Sequence, residues 1–226
     1  MRNREGGEPR VLAAERQAVV DHVVELAALT PGRTGNLSVR REDRYAITPT
    51  GIPYEEIGFS DIPVMTLTGT RVAGEVEPSS ETAMHSGIYR ALDVDAVAHT
   101  HSPWATTLAV LGEPLPPVHY MIAKGGTKIP VAEYATYGSG KLAMNVVEAM
   151  IDVDAEACLI ANHGLVATGA DAADAIETIR AIESTARLYC QARMIGEPNV
   201  LPEPEIKNVQ AKFERYGQSD PAEPDE

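Results

Sequence analysis

The apolar residues of this chain alternate irregularly between two periods, and that limits the folds open to it. Val19, Val20, Val23, Val24, Leu26 and Ala27 recur at helical spacing within residues 15–29, a run that stops at the breaker cluster Thr30-Pro31-Gly32. Short strand-like runs follow at 37–40, 45–48 and 63–67, set off by turns at Thr50-Gly51 and Thr68-Gly69. Pro78-Ser79-Ser80 is expected to open a helix reaching Leu92, because serine oxygens accept hydrogen bonds from the free amides of a first turn. A strand at 96–101, a helix at 103–110, a short strand at 129–132 and a helix at 139–150 come next. Strands at 157–161 and 165–167 flank a turn. A long helix over 171–195 stops at Gly196, read as its C-cap, and a short helical run covers 204–213. Regular strand–helix–strand spacing would indicate a doubly wound parallel sheet. Its absence favours a mixed or antiparallel sheet flanked by helices, within the α/β class.

The length, 226 residues with 44% hydrophobic side chains, suits a single domain over 1–226 with a real core, residues 197–226 forming a C-terminal tail. Acidic side chains number 33 against 19 basic ones, a formal net charge of −14. That balance excludes a nucleic-acid surface and disfavours an anionic membrane. An anionic substrate then needs a site built locally from amides, hydroxyls, a metal or a few basic groups. Cys158 lies in the apolar run Ala157-Cys158-Leu159-Ile160 and Cys190 in a helical pattern; two such residues exclude a disulfide scaffold and a thiolate zinc finger. The polar first ten residues do not read as a signal peptide, and no run approaches the roughly 18 apolar residues of a membrane span, so a cytoplasmic location is expected.

The strongest chemical signal is Ala98-His99-Thr100-His101-Ser102. Histidines at i and i+2 of a strand share a face, so their nitrogens can converge on one metal ion; the alternative is a half-exposed pair on an edge strand. Asn162-His163-Gly164, in a tight turn between two apolar strands, offers a third imidazole, the number a catalytic site needs if it is to keep an open position. Pro78-Ser79-Ser80-Glu81 places hydroxyls, free amides and a carboxylate together. Glu81 can be a fourth ligand, a general base, or only the first-turn acid of a capping box. His85, four residues on, shares its helix face and reads as packing or as support for the site, while His22 and His119 have no partner by spacing. Two loops suit a phosphate, Thr34-Gly35-Asn36-Leu37-Ser38 and Thr48-Pro49-Thr50-Gly51, although ordinary turns use the same residues. Gly138-Ser139-Gly140-Lys141 is no P-loop, because Ala135 stands where the first glycine belongs and Leu142 where a hydroxyl should bind magnesium.

Taken in order, Gly35-Asn36-Leu37-Ser38, Ile47 through Pro53, Pro78 through Glu81, His99-Thr100-His101 and Asn162-His163-Gly164 resemble the class II aldolase/adducin family. The likeness spans Val19 to Tyr216. It is greatest to the branch that cleaves L-fuculose 1-phosphate, through His119 to Ala123, Tyr134 to Gly138 and Lys212 to Gly217. It implies a three-layer α/β/α fold around a largely antiparallel sheet, and a C4 homotetramer with active sites between subunits. It implies a Zn²⁺-dependent aldolase, Mn²⁺ or Co²⁺ being conceivable, that splits a ketose 1-phosphate into dihydroxyacetone phosphate and a short aldehyde such as L-lactaldehyde. By motif, His99, His101, His163 and Glu81 bind the metal, and Glu81 then serves as acid/base. Thr34, Gly35, Asn36, Thr50, Gly51, Ser79 and Ser80 hold the phosphate. Tyr120 of a neighbouring subunit donates a proton, Tyr137 lines the aldehyde side, and Phe213 and Tyr216 belong to a tail that covers the site. Arg33, Lys124 and Tyr137 depart from the branch's pattern. A ribulose-phosphate 4-epimerase is the nearest competing reading, and that branch carries Asp where Glu81 stands; a superfamily decarboxylase or dehydratase is another, and a non-catalytic adducin-like module is the alternative of a different class.

Overall fold

The structure, a computed structural model, describes residues 11–213 and 215. The elements run in the order α1 (Ala13–Ala27), β1 (Asn36–Arg41), β2 (Arg44–Ile47), β3 (Val64–Thr66), β4 (Arg71–Ala73), α2 (Thr82–Ala91), β5 (Ala96–Thr100), α3 (Pro103–Leu111), β6 (Val131–Ala132), α4 (Gly140–Val153), β7 (Ala157–Ile160), β8 (Gly164–Gly169), α5 (Ala172–Ile195) and α6 (Glu203–Phe213). The eight strands form one sheet in the order β4-β3-β2-β1-β5-β8-β7-β6. Every pairing is antiparallel except β6 with β7.

Strand alternation sorts the side chains into two cores. Leu37, Ala96, Ala98, Leu159, Leu165 and Ala167 face a layer formed by α1, α3, α5 and α6. Tyr45, Ile47, Val97, Cys158, Ile160 and Val166 face the opposite layer, formed by α2 and α4. The fold is therefore three layers, α/β/α, as expected from the resemblance. Ala172, Ala175, Ile176, Ile179, Ile182 and Ala186 of α5 are buried at three- and four-residue intervals. From the same helix, the Glu183 carboxylate accepts hydrogen bonds from the Trp104 and Ala105 amides, at 2.9 and 2.8 Å, capping the N-terminus of α3.

One local expectation is corrected. The helix expected from Pro78 begins only at Thr82. Pro78 is bridged to Pro49, and the Ser79 amide donates to the Thr48 carbonyl at 3.0 Å, so the backbone is committed to a neighbouring loop before it can coil. Gly196 is the C-cap that ends α5, its backbone extended and its amide donating to the Ala192 carbonyl. Within the expected tail, the Leu201 amide donates to the Pro117 carbonyl, Gln210 donates to the Ala123 carbonyl, and Ile206 is fully buried. No helix among the described residues is long and apolar enough to cross a membrane.

Candidate metal centre and active site

The centre forms where β5, the β7–β8 turn and the start of α2 meet. His99, on the central strand β5, is fully buried, and His101 follows one residue beyond the strand. His163 sits in the turn before β8, whose Asn162 adopts a positive φ of 54°. Asparagine tolerates that conformation better than most residues. Gly164 is required by space: a Cβ there would lie 2.3 Å from the Thr100 carbonyl oxygen and 2.9 Å from His101 Cδ2. Gly35 is similar, its absent Cβ falling 2.7 Å from the His99 carbonyl oxygen. The two glycines let neighbouring backbones close around the histidines.

The ligand nitrogens of His99, His101 and His163 lie within 4.8 Å of one another. His99 Nδ1 is 2.9 Å from the Leu165 carbonyl oxygen, which can only accept, so Nδ1 carries the hydrogen and Nε2 of the neutral ring presents a lone pair. That Nε2 lies 3.1 Å from His101 Nε2 and 3.1 Å from Glu81 Oε2. A lone pair and a carboxylate oxygen at this separation need a proton or a cation between them. Glu81 Oε1 is 3.4 Å from His163 Nε2 and is a buried oxygen without a hydrogen-bond partner. Burial favours the neutral acid at Glu81, but the electrostatic attraction and hydrogen bond between it and His99, with help from Asn36 and His163, override it and hold the carboxyl well below its usual range. Burial pushes His101 down to about 4, reinforced by repulsion from His99 and His163. His163 is lowered too, by burial and then by His99. Neutral rings and an ionised carboxylate are the forms that bind a metal, so the donor set fits a divalent cation.

Beside the histidines opens a cavity of about 310 Å³, bordered by Glu81, His101 and His163 on one side. Thr34, Gly35, Asn36, Thr50, Gly51, Ser79 and Ser80 line the rest, with Arg33 and Tyr137. Hydrogen bonds zip these loops together. The Thr50 amide donates to the Glu77 carbonyl, and the Tyr54 hydroxyl donates to the Gly35 carbonyl while accepting from the Gly35 amide. Arg33 donates to the Gly51 carbonyl at 3.2 Å. Gly138, at φ 72°, passes so close to the Ser80 carbonyl that a Cβ would fall 2.7 Å from it, which brings Tyr137 to the rim. A larger cleft, about 510 Å³, lies between α2 and α4, away from the histidines; among the described residues, Arg90 and Glu148 are the charged ones that line it.

Other expected residues lie elsewhere. Tyr120 is about half exposed, in a 3₁₀ turn (Tyr120–Lys124), and its ring centroid is 6.3 Å from that of Phe213. Neither borders the cavity of its own chain. Tyr216 lies outside the described residues. The side chain of Asn36, expected at the phosphate, donates to Glu81 Oε2 at 2.9 Å. His85, set aside as packing or support, is fully buried, with Nε2 2.5 Å from Asn36 Oδ1.

An α/β/α sandwich with three histidines and a glutamate converging beside a hydroxyl- and amide-lined cavity defines a metal-type lyase domain of the class II aldolase kind. The model of the Class II Aldolase and Adducin N-terminal domain matches residues 17–190, and the chain belongs to this family. It is similar to a 5-deoxy-D-ribulose 1-phosphate aldolase of Bacillus thuringiensis serovar kurstaki, 41% identical over 213 residues that cover 92% of this chain and 99% of the relative. An L-fuculose phosphate aldolase of Escherichia coli K12 is 37% identical over 204 residues, covering 88% and 94%. A solved L-fuculose 1-phosphate aldolase superposes with a TM-score of 0.86 at 43% identity, covering 89% of this chain and 97% of its own.

Proposed function

We propose that the chain is a metal-dependent aldolase, a lyase, that cleaves a ketose 1-phosphate reversibly to dihydroxyacetone phosphate and a short aldehyde. The substrate is L-fuculose 1-phosphate, giving L-lactaldehyde, or a close analogue such as 5-deoxyribulose 1-phosphate. The observation that carries the reading is the meeting of His99, His101, His163 and Glu81, the last three at the wall of a cavity whose other walls carry hydroxyls and amides suited to a phosphate. The names borne by relatives at 41% and 37% identity support the same chemistry.

A Zn²⁺ ion held by the three imidazoles, with Glu81 as a further ligand, would supply Lewis-acid stabilisation of the negative charge that cleavage leaves beside the carbonyl; nitrogen and oxygen ligands also accept Mn²⁺ or Co²⁺. Glu81 carries the proton to and from the reacting carbon, a role typically worth about 10²–10⁴-fold. Glu81 is ionised in the resting site, the form that can receive that proton. Thr34, Gly35, Asn36, Thr50, Gly51, Ser79 and Ser80 surround the phosphate; the Gly35, Thr50 and Ser79 amides are engaged by Tyr54, Glu77 and Thr48, so the grip falls to the Thr50, Ser79 and Ser80 hydroxyls and the Gly51 and Ser80 amides. This remote binding orients the carbons that part. Arg33 adds the cation that a chain of net charge −14 otherwise lacks there.

Tyr120 and Phe213 are clustered together but away from their own cavity. They serve a neighbouring subunit's site in a C4 tetramer, Tyr120 protonating the aldehyde oxygen and Phe213 closing over it, while Tyr137 lines the aldehyde side. The enzyme works in the cytoplasm. The test is release of dihydroxyacetone phosphate from L-fuculose, L-rhamnulose, D-ribulose and 5-deoxyribulose 1-phosphates. Turnover of at least one, lost in Glu81→Gln, is the expected result. No release from any of them, or full activity in that variant, would overturn the reading.

A further inference from the structure

The elements beneath the site set up a second, deeper arrangement. Asn36 and Ser38, two residues apart on β1, share one face of the strand. Glu81, His85 and Tyr89 stand at four-residue intervals at the start of α2 and along it, and so share one face of the helix. The two faces meet in a buried row. Ser38 and His85 are fully buried, and Tyr89 and Asn36 nearly so.

The hydrogens in this row can be placed without ambiguity. A Glu81 carboxylate only accepts, so the Asn36 group 2.9 Å from it is the amide N–H, and the Asn36 oxygen is the atom facing His85. That oxygen also only accepts, so His85 Nε2 carries a hydrogen. In a neutral ring Nδ1 is then a lone pair, and it must receive the hydroxyl hydrogen of Ser38, 2.6 Å away. Ser38 has no second hydrogen, so its oxygen accepts from the Tyr89 hydroxyl, also at 2.6 Å. Every hydrogen runs the same way, from Tyr89 through Ser38, His85 and Asn36 to Glu81. Burial supports the neutral ring, pushing His85 down to about 3 despite the nearby Glu81 charge.

We propose that His85 is a positioning residue: it locks the Asn36 amide with its N–H toward Glu81, and so fixes the carboxylate against the histidine cluster. An asparagine amide has no preference of its own between its two orientations. The reversed one would set the Asn36 oxygen against a carboxylate oxygen and its N–H₂ against the His85 N–H. The Glu81 carboxylate disfavours it from one side, and a donor at the His85 position excludes it from the other. The inference rests on the reading of Glu81 as the acid/base and metal ligand, and it assigns a role to a residue that touches neither substrate nor metal.

The test compares three variants of the full chain. His85→Leu removes both hydrogen bonds, whereas His85→Gln retains an amide N–H able to reach Asn36. For ketose 1-phosphate cleavage, kcat is expected to fall about 10–100-fold in His85→Leu, the usual cost of losing a ligand's supporting partner, and to be largely restored in His85→Gln, with KM moving much less than kcat. Co²⁺ titrated into the chelator-treated chain reads the same effect without turnover: affinity drops in His85→Leu and returns in His85→Gln. Ser38→Ala leaves the imidazole but removes its donor, and is expected to fall between the two. Wild-type kcat and Co²⁺ affinity in His85→Leu, or no difference between the Leu and Gln variants, would overturn the proposal. Should His85→Leu lose its native circular dichroism, wild-type kcat and Co²⁺ affinity in Ser38→Ala would overturn it equally. If the wild-type chain releases no dihydroxyacetone phosphate at all, it is the functional reading that fails, and the Co²⁺ comparison still decides the role of His85.

Discussion

Gly164→Ala probes the point where fold and site are one object. The added Cβ would sit 2.3 Å from the Thr100 carbonyl oxygen, whereas ordinary contacts begin at 3.4 Å. Strands β5 and β8 must therefore part locally by about 1 Å, an overpacking that typically costs about 1–3 kcal/mol. Against a total stability of about 5–15 kcal/mol the variant still folds. Its midpoint should drop by about 2–4 °C per kcal/mol for a chain of this size. The site suffers more than the fold. Thr100 pairs with Leu165, so the displacement falls between His99 and His101 on one side and His163 on the other. The new methyl group would also press on His101 Cδ2 at 2.9 Å and His99 Cε1 at 3.3 Å. Metal–nitrogen bonds near 2.0–2.1 Å do not stretch by such an amount, so one imidazole is lost from the ligand set. Co²⁺ titration and thermal unfolding of the same sample read both effects. A native-like but less stable protein with strongly weakened Co²⁺ binding is expected. Wild-type affinity together with an unshifted midpoint would refute the argument that the glycine sets the approach of the two strands.

Three further outcomes follow from individual groups. Glu81→Gln should abolish turnover while the three histidines still retain a metal ion, as elemental analysis of the purified variant would show; loss of the ion along with turnover would mean that Glu81 is chiefly a ligand. His85 is held near 3 in the folded chain against the usual 6.5, so between these values the unfolded chain binds the extra proton, and stability falls as pH drops below about 6.5. Urea unfolding between pH 7 and pH 5 should show a slope that averages about 1 kcal/mol per pH unit shallower in His85→Gln than in wild type, because the unfolded histidine is only part protonated at the upper end; equal slopes would mean that His85 titrates alike in both states. Burial pushes the Cys158 thiol up to about 12, whereas Cys190 is only partly buried. Iodoacetamide should modify Cys190 in the native protein and Cys158 only in denaturant, which peptide mass mapping would distinguish.

Much of this architecture was legible in the residues because the strong signals were local. The H-x-H spacing puts two imidazoles on one face whatever surrounds them, and apolar periodicity located the principal helices. Strand β4 went unread because Arg71-Val72-Ala73 is short, mostly exposed and barely apolar. The start of α2 was misplaced because Pro78-Ser79-Ser80 carries the composition of a cap, while its backbone is held by Thr48 and Pro49, about thirty residues earlier, a pairing that no local pattern records. His85 was visible only as Glu81 plus four. Its meaning needed Asn36 and Ser38 from a strand more than forty residues away. Asn36 itself was placed at the phosphate by its glycine-flanked loop, yet it also holds Glu81 from the first strand of the sheet, a bond that appears only when β1 lies beside α2.

X-ray absorption at the metal edge, on protein purified without chelator, tests the central claim most directly. One divalent ion per chain, with scattering from three imidazole nitrogens that drops to two in His163→Ala, is the predicted result. An ion bound without imidazole, or no stoichiometric ion at all, would contradict the account.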